Sequence, residues 1–232
     1  MMDRTRRGGR VALLVAMMAM LAGPVPVRGE AEAPREGVVR VALLTYAEGK
    51  TPDCFSTGFL ALVAREAELP VARAFASVEL ASDELFAHPF VVLAGEGAFA
   101  LSEAERTNLK AYIEQGGFVL ASASCSNAAW SASFQEVMTA LFGEEAMQPI
   151  DSDHAMFHSL YEIGRVQMRR AVPETVTPLL GRSVNGTLRV VFAPMGLNDT
   201  DNAGGGCCCC GGNEIRNARM INANLLTYAL TN

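Results

Sequence analysis

The chain has 232 residues, half of them hydrophobic, with 19 Lys and Arg against 25 Asp and Glu, and six Cys. That length suits one domain able to bury about 70% of the surface its unfolded form exposes. A modest charge fraction and an ordinary apolar fraction exclude a disordered chain, and no fixed-period repeat marks a solenoid.

Arg4, Arg6, Arg7 and Arg10 precede an uncharged stretch from Val11 to Gly23, which Pro24 and Pro26 then break. A basic start, a short apolar run and small residues beyond it are the layout of a secretory signal. Residues 1–29 are therefore expected to be a signal peptide, and the protein to be exported, periplasmic or extracellular. The apolar run is too short to cross about 30 Å of hydrocarbon as a helix, so no stable span is expected after cleavage. Residues 1–29 hold five Arg and one Asp, so their removal takes the net charge from −6 to −10. Lys occurs only at positions 50 and 110. Binding a phosphate backbone needs clustered cations, so nucleic acid is not an expected partner.

Residues 30–37 read as a polar linker and 38–232 as a single α/β domain. Val38–Tyr46 is a nearly unbroken apolar run, the pattern of a strand covered on both faces. Phe55–Leu69 carries apolar residues at helical spacing. Phe90–Ala94 reads as the second strand, closed by Gly95-Glu96-Gly97. Ser102 stands three residues before Glu105, the capping-box spacing, and Gly116-Gly117 mark the end of that helix. Phe118–Ala123 is another apolar strand, so strand, helix and strand form a βαβ unit with parallel strands. A further helix is expected over about Ser131–Phe142. Leu179–Val184 and Thr187–Ala193 flank Asn185-Gly186, the signature of a hairpin with a type I′ turn. A helix from about Asn213 to Leu230 closes the chain. The sum is a mostly parallel sheet with flanking helices, the C-terminal β-hairpin extending one edge.

Several of these stretches together resemble a known family. They are Phe90–Gly97, Leu101–Glu105, Leu109–Phe118, Asp153-His154-Ala155-Met156-Phe157, the hairpin after Pro178–Gly181, and Asn224–Leu230. The chain resembles the bacterial domain of unknown function family 4159 from about Val38 to Leu230. The resemblance implies a flavodoxin-like, class I glutamine amidotransferase-like fold, and membrane-associated cell-envelope proteins as partners. It brings no established activity. Glu96 stands where relatives commonly carry His.

Cys125 follows the Phe118–Ala123 strand, and the carboxyl ends of parallel strands are where α/β ligands bind. The resemblance implies a nucleophilic Cys at about that place, and His154 is the candidate base; the residues also fit a buried small hydrophobe or half of a disulfide. His154 and His158 are spaced i, i+4 and would share one face if that segment were helical, with Asp151 and Asp153 beside them. Gly204–Gly212 encloses Cys207, Cys208, Cys209 and Cys210. Thiolates favour soft metals, so zinc or copper held by these four Cys with His154 and His158 is one expectation. Disulfides are the rival, since thiols oxidise outside the cytosol and six is an even number. The Asn198-Asp199-Thr200-Asp201-Asn202 run adds oxygen ligands without a calcium pattern.

Three functions stand on this reading. The first is an exported binding module with a Cys/His metal or thiol-redox site serving a cell-envelope assembly. The second is a thiol hydrolase or amidotransferase relative using Cys125 and His154. The third is a structural interaction domain whose cysteines form disulfides.

Overall fold

The computed structural model describes residues 37–52, 54–169, 178–203 and 215–232. The signal peptide expected over 1–29, nearly all of the linker and Cys207–Cys210 lie outside the described residues. Seven strands are β1 Ala42–Thr45, β2 Ala76–Glu79, β3 Phe90–Gly95, β4 Phe118–Ala123, β5 Gln148–Pro149, β6 Leu180–Val184 and β7 Thr187–Ala193. Four α-helices accompany them: α1 Gly58–Glu66, α2 Glu103–Glu114, α3 Ala128–Phe142 and α4 Ala218–Thr231. One mixed sheet runs in the order β2-β1-β3-β4-β7-β6-β5. The first five in that order are parallel, and β6 and β5 add antiparallel strands at one side.

The two central strands explain the layering. Every residue of β3 and β4 is buried, yet successive side chains must point to opposite faces. Phe90, Val92, Phe118 and Leu120 enter a core with Phe59 and Val63 of α1 and Leu225 of α4. Val91, Leu93, Val119 and Ala121 enter a second core with Leu109 of α2 and Phe134 of α3. Helices therefore cover both faces, which is why these strands read as unbroken apolar runs.

The βαβ unit forms as its sequence signals require. Ser102 Oγ accepts from the Glu105 N–H at 3.3 Å, and Glu105 Oε2 accepts from the Ser102 N–H at 2.7 Å. Gly116 takes a φ of 96° just past the helix, and Gly117 leaves the space that the Tyr112 ring fills. Asn185 and Gly186 take φ values of 52° and 80°, as a type I′ turn demands.

Three expectations are corrected. β2 precedes β3, so Phe90 begins the third strand. β2 is a four-residue edge strand with alternating burial, too short for its period to stand out. The helix expected over Phe55–Leu69 is confined to Gly58–Glu66, because Phe55 and Ser56 are drawn into loop contacts. α3 begins at Ala128, three residues before the expected start, with Asn127 Oδ1 capping the Trp130 N–H at 2.9 Å. The hairpin extends one side of the sheet as expected: β7 pairs in parallel with β4, β6 lies outside it, and β5 covers only Leu180 and Gly181 of β6. Among the described residues, no helix is long and apolar enough to cross a membrane.

Candidate functional site at the carboxyl edge

Parallel strands deliver their following loops to one edge, and the loops after β1, β3, β4 and β7 meet here. After β1 the chain turns back at once, with Tyr46 and Lys50 exchanging backbone hydrogen bonds at 2.9 and 2.7 Å. The turn passes through Ala47 and Glu48 at φ 45° and 62°, a region that side chains rarely enter. Glu105 Oε1 holds it by accepting from the Ala47 N–H at 2.7 Å. Beneath the turn, the Tyr46 hydroxyl donates to the Ala94 carbonyl at 3.0 Å and accepts from Trp130 Nε1 at 2.6 Å. A Cβ on Gly95 would lie 2.5 Å from that hydroxyl, so only glycine admits the crossing. Burial pushes the Tyr46 hydroxyl up to about 12, against the Trp130 hydrogen bond.

The loop after β4 carries Cys125. Ser124–Ser126 forms a 3-10 turn in which Cys125 (φ 55°, ψ 29°) and Ser126 (φ 54°) are both left-handed. Each such non-glycine residue costs about 1 kcal/mol or more, so neighbours must hold it. Ser126 Oγ donates to the Met195 carbonyl at 3.0 Å. Asn127 Oδ1 accepts from the Gly97 N–H at 3.1 Å. Cys125 Sγ lies 3.2 Å from Glu96 Oε1, and Lys50 Nζ donates to the Glu96 backbone carbonyl at 3.2 Å.

Cys54 and Cys125 are both disulfide-bonded. An oxidised sulfur carries no proton, so the contact between Cys125 and an ionised Glu96 becomes a hydrogen bond only when the sulfur is a thiol.

The loop after β7 brings Asn198, which is 1% exposed. Asn198 Oδ1 accepts from Ser122 Oγ at 2.6 Å, and Nδ2 donates to the Cys54 carbonyl and to Ser124 Oγ, each at 2.8 Å. One amide thus ties together the residues next to or bearing both cysteines. Around it, Ser122 Oγ accepts from the Leu197 N–H, and Asn222 Nδ2 of α4 donates to the Leu197 carbonyl. Asp199, itself left-handed at φ 51°, accepts from Arg219 Nε at 2.9 Å and from Asn202 Nδ2 at 2.6 Å. The serine hydroxyls donate to or accept from protein groups, and no imidazole is among these contacts. The arrangement can hold loops together, and among the described residues no imidazole stands beside the sulfur to activate it.

The histidines lie elsewhere. His154 caps a three-residue 3-10 turn, Ala155–Phe157, its Nδ1 accepting from the Met156 N–H at 3.1 Å. Its ring packs 5.4 Å from that of Tyr228, whose hydroxyl accepts from the Leu188 N–H at the amino end of β7. Burial lowers its imidazole below the usual range, against the carboxylates of Asp151 and Asp153. It lines a groove of about 330 Å³ with Asp151, Ile150, Gly181, Arg182 and Leu188. His158 is at the other end of the turn, its Nδ1 2.6 Å from the exposed Glu162 carboxylate. The helical face expected to carry both is not formed. His88 is buried, with Nδ1 2.9 Å from the Arg40 carbonyl.

The structure therefore sets Cys125 against Glu96, with Asn198 bonded to the adjoining Ser124, and does not bring His154 or His158 to it. Among the described residues, no three His, Cys, Asp or Glu are placed to hold a metal ion. The zinc or copper expectation on Cys207–Cys210 lies outside the described residues. Asn222, Arg219 and Ser56 were not singled out from sequence. The Asn198–Asn202 run reads in sequence as oxygen ligands alone, and its place just past the apolar strand β7 is the signal for the carboxyl edge.

Residues 40–230 match the family described as domain of unknown function (DUF4159). The chain belongs to that family. The match spans the strands described above and the loops of the carboxyl edge, so the site described here lies wholly within the family domain. No curated protein matches the chain.

Proposed function

We propose that this member of the family is an exported interaction domain of the cell envelope, its carboxyl edge held shut by disulfides, and not a thiol enzyme. One observation carries the reading: Asn198 Nδ2 bonds both the Cys54 carbonyl and Ser124 beside Cys125, and both cysteines are oxidised. Disulfides persist outside the cytosol, in keeping with the basic and apolar start of the chain. The strand order β2-β1-β3-β4-β7 is that of a flavodoxin-like sheet, which supports the amidotransferase-like relationship.

The left-handed turn at Cys125, directly after a central strand, favours a second reading as a thiol hydrolase. It is opposed by the carboxylate 3.2 Å from the sulfur, which disfavours a thiolate. A metal role rests on Cys207–Cys210 without the two histidines.

The test is thermal unfolding of the protein purified from its export compartment, with and without dithiothreitol, beside elemental analysis. The proposal expects no stoichiometric metal and a melting temperature several degrees lower after reduction. Stoichiometric zinc or copper, lost on Cys207–Cys210→Ser, would replace it with the metal reading. Unchanged melting after reduction would remove the structural role of the disulfides.

A further inference from the structure

Glu96 is exposed, and among the described residues its carboxylate meets only Cys125, holding its charge 3.2 Å from Sγ. Cys125 itself is half-buried and so within reach of a small thiol. Among the described residues, Lys50 is the other charged group against this loop, and its ammonium bonds the Glu96 backbone carbonyl, not the carboxylate. We infer that Glu96 is an electrostatic guard of the Cys125 disulfide, repelling the anionic thiolates that would reduce it. The inference rests on the disulfide reading above.

Thiol–disulfide exchange proceeds by thiolate attack. With glutathione as reductant, the thiolate lone pair forms a new S–S bond at Cys125 Sγ. The old S–S bond breaks, its electron pair leaving on the sulfur formerly bonded to Cys125, which then takes a proton. A second glutathione thiolate attacks the glutathione sulfur of this mixed disulfide, giving glutathione disulfide and releasing Cys125 as a thiolate. That sulfur also takes a proton and donates it in a hydrogen bond to Glu96. The first attack brings negative charge to a sulfur already beside a carboxylate. A unit charge about 4 Å away in water changes such a step by about fivefold, less as salt screens it.

The experiment compares wild type with Glu96→Gln, an exposed and nearly isosteric change. The rate at which Cys125 becomes alkylatable is followed by peptide mapping, with glutathione and with cysteamine, whose ammonium offsets its thiolate charge. The guard predicts that Glu96→Gln is reduced about fivefold faster by glutathione at low salt. The ratio should shrink towards one in high salt and with cysteamine. Equal rates with glutathione at low salt, or an acceleration equally large with cysteamine, would overturn it. A chain in which Cys125 alkylates before any reductant is added would overturn the disulfide reading as well.

Discussion

Cys125 and His154 stand at opposite ends of the parallel sheet. Cys125 follows the carboxyl end of β4, whereas His154 packs on Tyr228, which reaches the amino end of β7 and lies against Phe118 at the start of β4. Six to seven strand residues separate these levels, about 20 Å at the usual rise. No side-chain motion closes such a gap, so a Cys125–His154 pair is not available to this fold. What surrounds Cys125 instead is a carboxylate and a set of hydrogen bonds that stabilise loops.

The Asn198 amide is the centre of that set, and its loss is expected to be costly. Asn198→Ala leaves Ser122, Ser124 and the Cys54 carbonyl without their partner and should destabilise by about 3 kcal/mol or more. Asn198→Asp should cost at least as much, since a carboxylate cannot donate to the Cys54 carbonyl. Urea unfolding with linear extrapolation measures both. A loss under about 1 kcal/mol for Asn198→Ala would show that the network is incidental.

Gly95 is where the sequence yields to a close approach. Gly95→Ala drives a methyl into the Tyr46 hydroxyl and should cost about 2 kcal/mol. Tyr46→Phe has its own cost, because Trp130 Nε1 and the Ala94 carbonyl lose their partner, but it clears the space. The double variant is therefore expected to lose at least about 1 kcal/mol less than the two single losses together. Strict additivity, read from unfolding curves of the four chains, would count against the clash.

The Glu105 carboxylate serves two loops at once, accepting from Ser102 and from Ala47. Glu105→Ala should destabilise by about 2 kcal/mol, while Glu103→Ala, exposed in the same helical turn, should change stability by less than about 0.5 kcal/mol. Similar losses in both, measured by thermal unfolding, would assign the effect to the helix end in general.

His154 sets a pH dependence whose direction follows from its burial. The folded imidazole titrates below the ordinary histidine value of 6.5, so the unfolded chain binds the extra proton first. Stability is full above that value and falls as pH drops through the window down to the folded value, then levels off. Protonation also ends the acceptance from the Met156 N–H. His154→Asn keeps a capping oxygen for that N–H and removes the titration. Wild type should lose more stability than His154→Asn between about pH 8 and about pH 5. An equal loss would place the dependence on other groups.

Much of the scaffold is legible in the sequence because its signals are local. The capping box at Ser102, the glycines after α2, the apolar runs of β3 and β4 and the Asn185-Gly186 turn each specify a conformation within a few residues. β2 escaped because four alternating residues on an edge carry little pattern. The site was harder for a different reason. Cys54, Glu96, Cys125 and Asn198 come together through strand order, which places segments up to 144 residues apart in one cluster. The i, i+4 spacing of His154 and His158 misled because Ala155–Phe157 forms a single 3-10 turn, where that spacing does not share a face.

The central claim is that Cys125 is a bonded structural sulfur. Alkylation of the unreduced, exported protein with iodoacetamide, followed by reduction, a second isotopic alkylation and peptide mapping, tests it directly. The account predicts that Cys54 and Cys125 carry only the second label. First label on Cys125 in the folded, unreduced protein would contradict it and return the sulfur to the role of a reactive thiol.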